Sequence, residues 1–313
     1  MRLKYCKLPQ GNFGDDLNLE LWPALFPDLE AQHPDTWLYG IGTILGGTQP
    51  DGPKVVLGSG CGYRGTPQLG SDWRVYWVRG PGTAAKCHLD PALGLGDAAV
   101  LWPPLHRTPS PVSGRIGLVP HHKSHDSWDW DALAREAGLY PIDPRQSPQA
   151  VADAIASCER VLTESLHGAI FADTLGVPWR ALVLARRFNN FKWQDWLDTL
   201  GMKLNTVEAH VELKRKLSTG KAIGNRLARF AGSRDERNHL RPVRAATASD
   251  VERVRQDLIK IASETGAFVL SDPAARARQL ERMREACARF AADHGLQFRR
   301  PHPHPNPHAG EGA

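Results

Sequence analysis

Three reactive side chains interrupt an apolar stretch in VLTESLHGAIFADTLGVPW, residues 161–179. Glu164, Ser165 and His167 stand where an apolar strand is predicted to end and an apolar helix to begin. Histidine titrates near neutral pH and a carboxylate can orient it, so this group is suited to acid–base chemistry. Gly168 serves the fold of the turn, and Ser165 and Gly168 join the residues expected to contact a substrate.

A second polar group lies in GNFGDDLN, residues 11–18, directly after the first apolar run. Gly14 permits close approach of the backbone, and capping of the following helix explains one of the two aspartates, Asp15 or Asp16. Ligands of open α/β sheets bind beyond the carboxyl ends of the strands. Asp15 is therefore a candidate base for a sugar hydroxyl, with Asn12 and Gly14 as further contacts.

Two more segments could bind an anion. RGPGTAA places Arg79 between a predicted strand and a helix N-terminus, which suits a carboxylate or phosphate, although a structural role is equally open. LVPHHKSHDSW, residues 118–128, offers His121 and Lys123 after another strand. Because no motif with dependable metal-ligand spacing is present, we expect anion binding there and no metal.

NNFKWQDWLDTLG, residues 189–201, combines aromatic side chains with Lys192 and Asp195. Lys192 is a candidate substrate-binding cation. Trp193 and Trp196 could form part of the core or floor a sugar site, and the sequence favours neither interpretation.

These residues must be positioned by strands and helices that alternate along the chain. That alternation, with glycine-rich turns between the elements, predicts an α/β protein with parallel sheets. The predicted strands are Leu3–Cys6, Lys54–Leu57, Val75–Val78, Ala98–Trp102, Ile116–Pro120, Tyr140–Asp143, Val161–Thr163 and Ala181–Leu184. GIGTILGG, residues 40–47, lacks the GxGxxG spacing, which disfavours a nicotinamide cofactor.

The segment WPPLHRTPSPVSGR, residues 102–115, is typical of a linker between two Rossmann-like domains. Beyond it, helices are predicted at Ser249–Ser263 and Pro273–Ala292. We therefore expect an N-terminal acceptor-side domain (1–105), a donor-side domain (114–205), a helical basic extension (206–298) and a disordered tail (299–313).

The composition is that of a globular protein, with 41% apolar and 23% charged residues. No run approaches the roughly 20 apolar residues of a membrane helix, and MRLKYCKLPQGNFGDD lacks the apolar core of a signal peptide. Five scattered cysteines without a CxxC pair favour a reducing cytoplasm.

The net charge of +5 is unevenly distributed, since lysine and arginine predominate between Leu213 and Arg244. This basic stretch could be a solvated helical face or could contact anionic lipid or a polyanionic substrate. Nucleic acid is not expected as a partner, because interleaved aromatic residues are missing there.

Taken in order, the motifs NFGDDLN, GIGTIL, VRGPGT, GDAAVL (residues 96–101), VPHH, ESLHGAIFADTLGVPW and FKWQDW run from about residue 10 to about residue 200. Each motif alone is weak, but the ordered set resembles the polysaccharide pyruvyl transferase family, in particular its succinoglycan-type ketal pyruvate transferase branch.

The resemblance implies a fold similar to that of the GT-B glycosyltransferases, with two Rossmann-like domains facing across a cleft and a helical C-terminal region. It also implies transfer of the enolpyruvyl unit of phosphoenolpyruvate to a sugar of an exopolysaccharide or its lipid-linked precursor. A pyruvate ketal and phosphate would result, with no cofactor. The expected location is cytoplasmic, with peripheral contact at an anionic inner-membrane surface.

Ketal formation of this kind requires protonation of the methylene carbon of phosphoenolpyruvate. The resemblance makes His167 the expected acid, with Glu164 orienting the imidazole or assisting a hydroxyl. Many members of the family carry an arginine where this chain has Ser165. If that arginine grips the donor, another cation must replace it, and the candidates are Arg79, Lys123, Arg186, Arg187 and Lys192.

Two alternatives belong to other functional classes. A nucleotide-sugar glycosyltransferase could share the two-domain architecture, and a non-catalytic glycan- or membrane-associated assembly protein could have kept the fold.

Overall fold

Two parallel β-sheets form the framework of the protein in the computed structural model. The structure describes residues 1–62, 65, 68–102, 109–209, 213 and 245–300. Within these residues the chain is an α/β protein, as the alternating pattern predicts. No helix in the described ranges is long and apolar enough to cross a membrane.

The first sheet contains four parallel strands arranged in chain order. Its elements are β1 (Arg2–Lys4), α1 (Phe13–Asp16), α2 (Asn18–Leu25), β2 (Trp37–Tyr39), β3 (Lys54–Leu57), β4 (Trp73–Trp77) and α3 (Pro81–Lys86). The central strand β3, KVVL, is buried along its whole length, as expected for a parallel strand covered on both faces. Two 3-10 turns, Pro91–Leu93 and Ala98–Leu101, follow α3.

The second sheet has five parallel strands in the order β6-β5-β7-β8-β9. Its elements are β5 (Ile116–Val119), α4 (His122–His125), α5 (Trp130–Glu136), β6 (Tyr140–Pro141), α6 (Pro148–Ala156), β7 (Arg160–Thr163), α7 (Leu166–Thr174), β8 (Trp179–Val183), α8 (Asn190–Leu197) and β9 (Thr206–Glu208). This order reverses between β5 and β7, as in doubly wound folds, whereas the first sheet has no reversal.

Two C-terminal helices cover different sheets. The helix α9 (Ala248–Ser263) places Val254 and Leu258 in one apolar cluster with Leu118 of the second sheet. The helix α10 (Pro273–His294) places Phe290 beside Tyr76 of β4, with ring centroids 5.3 Å apart.

The two halves share one hydrophobic core. Phe171 of α7 contacts Phe13 of α1 edge-on, with ring centroids 5.3 Å apart, and stacks on Trp102 at 5.4 Å. All three side chains are fully buried. Burial of apolar surface therefore fixes α7 of the second sheet against the loops of the first.

The structure corrects several predicted elements. Ala98–Trp102 is not a strand, because Asp97 caps a 3-10 turn there by accepting a hydrogen bond from the amide of Ala99. The short strands β2 and β9 were not predicted. Since β9 pairs with β8, the predicted boundary at residue 205 would remove a strand from the second sheet.

The predicted linker, basic stretch and tail lie partly outside the residues that the structure describes. The predicted linker is described outside residues 103–108, and of the basic stretch from residue 213 to residue 244 only Leu213 is described. Of the predicted tail, Arg299 and Arg300 are described, and the Arg299 amide donates to the carbonyl of Leu25.

Candidate functional site

The candidate site lies at the carboxyl ends of β5 and β7, where the strand order of the second sheet reverses. This switch point is the usual ligand crevice of an open α/β sheet. His121 follows β5 and Glu164 follows β7. The loop before α1 closes the crevice from the other half, since the Phe13 amide donates to the carbonyl of Pro144 at 3.0 Å.

His167 is the second residue of α7 and is 13% exposed. Ser165 caps the helix by accepting a hydrogen bond from the Gly168 amide. A Cβ on Gly14 would lie 1.7 Å from His167 Nδ1, so only glycine lets α1 approach the imidazole. The other ring nitrogen, Nε2, is buried and lies 3.8 Å from Oδ2 of Asp97. The structure thus brings Gly14 and His167 together across the two halves.

Gly168 has a packing role in the same turn. A Cβ at this position would lie 2.5 Å from Oγ1 of Thr163, the residue that ends β7. The Thr163 hydroxyl also donates to the carbonyl of Ser165 and accepts from its amide. These contacts account for Gly168 and Ser165 without a ligand, and their predicted substrate contacts stay predictions.

The two adjacent aspartates of α1, Asp15 and Asp16, have different environments. Asp16 accepts a hydrogen bond from the backbone N–H of Asn12 at 2.8 Å and so provides a partner for that N–H at the start of α1. Asp15 accepts from Nδ2 of Asn12 at 2.6 Å. Burial raises the pKa of Asp15, and the charges of His167 and Lys192 together with the Asn12 hydrogen bond oppose that rise. Capping of α1 therefore explains Asp16, whereas Asp15 stays a candidate base at the site.

Glu164 joins the ends of three neighbouring strands. Its Oε2 accepts from the His121 amide at 3.0 Å and its Oε1 from the Leu184 amide at 3.3 Å. Complete burial raises the pKa of Glu164 to about 7, against hydrogen bonds from Ser124 and these amides and the charge of Lys192. Both carboxylate oxygens are engaged in holding the loops. The structure places Asp97, and not Glu164, beside Nε2 of His167. The predicted role of Glu164 in assisting a sugar hydroxyl stays a prediction.

The buried carboxyl of Glu164 predicts a distinct pH dependence of stability. Its pKa is about 7 in the folded chain and 4.5 as an ordinary glutamate, so the folded state binds more protons between these values. The contribution of Glu164 to the free energy of unfolding should fall by about 3 kcal/mol as the pH rises from about 4.5 to about 7. Urea unfolding of the wild type and of Glu164→Gln across pH 5–8 measures this difference.

The matched control is Glu159→Gln. Glu159 also accepts a hydrogen bond from a backbone amide, that of Gly114, but its side chain is exposed. Its pH curve should parallel that of the wild type. Parallel curves for Glu164→Gln and the wild type would contradict the prediction.

The loop after β5 supplies two uncharged imidazoles. Burial lowers the pKa of His121 well below its ordinary value, and the charges of Lys192, His122 and Lys123 lower it further. Burial and the neighbouring lysines likewise lower the pKa of His122 to about 4. Nδ1 of His121 accepts from the Lys123 amide, which leaves Nε2 to carry the ring proton. His121 can therefore donate a hydrogen bond at neutral pH but brings no positive charge.

The five candidate cations occupy different environments. Arg79 is fully buried in an ion pair, Lys123 and Arg187 are exposed, and Arg186 is half-buried. Lys192, in the first turn of α8, is half-buried, and its charge acts on Asp15, Glu164 and His121. Within the described part of the chain its ammonium has no ion pair or hydrogen bond. Among the candidate cations, Lys192 thus combines a free ammonium with partial burial and a charge that acts on the residues of the candidate site.

Arg79 belongs to a buried network between the halves. Its guanidinium donates to Oδ2 of Asp195 at 3.2 Å, to Oγ1 of Thr43 at 2.8 Å and to the carbonyl of Cys61 at 3.1 Å. Asp195 also accepts from the amide and hydroxyl of Thr83 in α3. These partners give Arg79 a structural role, and its predicted contact with a substrate stays a prediction.

Trp193 and Trp196 belong to the core. Both are at most 1% exposed and lie 6.0 and 5.6 Å from Trp179, measured between ring centroids. They cannot form the floor of a sugar site in this arrangement. Of the two interpretations that the sequence allowed for Trp193 and Trp196, the structure supports packing in the core.

One group in the described part of the chain has the residue types of a metal site. Ligand atoms of His125, Asp131 and Asp143 lie within 4.8 Å of one another. Arg145 also contacts Asp143 through two nitrogens, at 2.9 and 2.7 Å. Because the guanidinium already supplies positive charge there, the group is explained as a network of ion pairs.

The sequence did not predict that Asp97 lies beside His167. The only sequence signal was an aspartate before an apolar run in GDAAVL, which is typical of a cap. With it, the crevice holds an imidazole, a carboxylate of raised pKa and an unpaired ammonium. Such a set can protonate a substrate, accept a hydroxyl proton and bind an anion.

The fold and site define an α/β protein with two parallel sheets, whose two halves meet at the candidate site. A model of the family described as polysaccharide pyruvyl transferase matches residues 11–184, and the chain belongs to that family. The succinoglycan biosynthesis protein ExoV of Rhizobium meliloti (strain 1021) is 40% identical over 211 residues. This alignment covers 64% of the chain and 66% of the relative, just under two thirds of its length. No solved structure matches the chain.

Proposed function

We propose that the protein transfers the enolpyruvyl unit of phosphoenolpyruvate to a sugar residue, forming a pyruvate ketal and releasing phosphate. The single observation that carries this proposal is the close approach of Gly14 to the imidazole of His167, with Asp15 next to Gly14 in α1 and the charges of His167 and Lys192 acting on Asp15. Membership of the pyruvyl transferase family and similarity to a succinoglycan biosynthesis protein support an acceptor in an exopolysaccharide or its lipid-linked precursor.

The chemistry assigns a role to each group. His167 donates a proton to the methylene carbon of phosphoenolpyruvate while a sugar hydroxyl oxygen bonds to the adjacent carbon. Asp15 accepts the proton of that hydroxyl. The oxygen of a second sugar hydroxyl then bonds to the same carbon, and the bond between that carbon and the phosphate oxygen breaks. The proton of the second hydroxyl leaves with the phosphate. Lys192 and His121 bind the carboxylate or phosphate of the donor.

A GT-B-like arrangement accompanies this proposal. The second half, with its doubly wound sheet, would bind the donor, and the loops after β1 and β4 would bind the acceptor. A cytoplasmic location and peripheral contact with an anionic membrane follow from a lipid-linked acceptor, and sedimentation with anionic liposomes at low salt tests that contact.

The test is release of phosphate from phosphoenolpyruvate in the presence of pooled bacterial lipid-linked oligosaccharides or a sugar-terminated acceptor. Acceptor-dependent phosphate release supports the proposal. No release with any acceptor, together with thermal stabilisation by a UDP- or GDP-sugar, would instead indicate a glycosyltransferase.

Replacing Lys192 with alanine should raise the KM for phosphoenolpyruvate by about 10–100-fold and change kcat less. The reason is that a hydrogen bond to a charged group contributes about 1.5–3 kcal/mol. Steady-state phosphate release measures both constants. Lys203→Ala removes an exposed lysine close to α8 and should leave KM unchanged. Equal KM values for Lys192→Ala and the wild type would remove Lys192 from the donor site.

A further inference from the structure

The two carboxylate oxygens of Asp97 differ, since one accepts a backbone hydrogen bond and the other accepts none from the described residues. Oδ1 accepts a hydrogen bond from the Ala99 amide at 3.1 Å and caps the 3-10 turn Ala98–Leu101. Oδ2 is buried, has no hydrogen-bond partner among the described residues, and lies 3.8 Å from Nε2 of His167. Nε2 is likewise buried without a partner. Two unsatisfied polar atoms from different halves of the molecule therefore face each other.

The carboxyl group of Asp97 is ionised at neutral pH. Burial alone would raise its pKa, but the neighbouring imidazole of His167 and the charge of Arg79 hold the pKa below the ordinary value. A buried carboxylate oxygen without a donor is costly. Nε2 of His167 lies 3.8 Å from this oxygen, and such contacts often tighten when a substrate binds.

We propose that Asp97 is the positioning residue of His167. Asp97 holds the ring proton on Nε2, so that Nδ1, the nitrogen beside Gly14, exchanges the proton with the substrate. The assignment rests on the proposed function for its catalytic consequence. The proton position itself can be measured without a substrate.

The other charged groups around the imidazole do not replace Asp97. Asp15 of α1 acts on His167 through its charge, and its carboxylate is hydrogen-bonded by Asn12. His121, after β5, is uncharged at neutral pH. Lys192 of α8 acts on Asp15 and His121. Asp97 is therefore the anion placed at Nε2, and it comes from the opposite half of the molecule.

Asp97→Asn makes a sharp test because asparagine caps helices as well as aspartate. The cap requires the amide oxygen of residue 97 to face the Ala99 amide, which turns the NH₂ group toward Nε2 of His167. Nε2 must then accept a hydrogen bond, and the ring proton moves to Nδ1. Asp90→Asn is the matched control, since Asp90 caps the preceding 3-10 turn through the Ala92 amide and is exposed.

The first measurement is the ¹⁵N spectrum of the histidine side chains, recorded at rising pH until the His167 signal is that of a neutral ring, with this signal assigned by its loss in His167→Asn. We expect the Nε2–H form in the wild type and in Asp90→Asn, and the Nδ1–H form in Asp97→Asn. An Nδ1–H form in the wild type, or an unchanged spectrum in Asp97→Asn, would overturn the proposal. The wild-type spectrum decides even where Asp97→Asn fails to fold.

The second measurement is the pH profile of phosphate release. In Asp97→Asn, kcat should fall by about 10–100-fold, with KM for phosphoenolpyruvate changed by less than about threefold. Asp97→Asn removes the negative charge beside Nε2, so the basic limb of the profile should move to lower pH. A purely structural role would leave the profile in place. If the wild type releases no phosphate, the proposed function fails while the spectrum still tests the pair.

Discussion

Replacing His167 with alanine should lower kcat for phosphate release by about 100-fold or more. General acid catalysis by a positioned side chain contributes about 10²–10⁴-fold, and no other imidazole lies between Gly14 and Asp97 in the described structure. The loss should appear in kcat, because His167 acts on the methylene carbon and not on the anionic groups of the donor. Steady-state kinetics with saturating phosphoenolpyruvate measure it.

The control for this prediction is His88→Asn. His88 is an exposed histidine with φ of 56°, a conformation that asparagine tolerates. Its kcat should match that of the wild type. A near-normal kcat for His167→Ala would contradict general acid catalysis by His167 and indicate that the residue serves packing alone.

Replacing Asp195 with alanine should reduce the free energy of unfolding by about 3–5 kcal/mol. The variant leaves the guanidinium of Arg79, 1% exposed, without its counterion in the interior. It also removes the acceptor of the Thr83 amide and hydroxyl at the start of α3. Chemical denaturation followed by circular dichroism measures the loss.

Asp198→Ala is the comparison for Asp195→Ala. Asp198 is the residue directly after α8 and accepts a hydrogen bond from Gln194, but it is exposed. Its removal should change the free energy of unfolding by no more than about 0.5 kcal/mol. If the two variants are equally stable, the Arg79–Asp195 pair does not hold the halves together.

The elements of the fold could be predicted where local sequence determines them. The apolar strands β3 and β7 and the helix α6, with Ser147 as its cap and Pro148 at its first position, follow from propensity and capping. The strands β2 and β9 could not be predicted, because three-residue strands depend on their neighbours in the sheet.

The site was predictable in part for the same reason. His121 and Glu164 follow parallel strands, and the carboxyl ends of such strands meet at one edge. The contact between Asp97 and His167 depends on how the two halves pack, which no local pattern encodes. The roles of Trp193 and Trp196 were equally open, since aromatic spacing in a helix defines a face but not the partner of that face.

The close approach of Gly14 to His167 has a consequence for evolutionary drift. Position 14 cannot gain even a methyl group while the imidazole is present, because the added carbon would lie 1.7 Å from Nδ1. A descendant that lost the histidine would be released from this restriction and free to accumulate larger residues at position 14. Paired change at positions 14 and 167 would therefore mark lineages that have abandoned the chemistry while retaining the architecture.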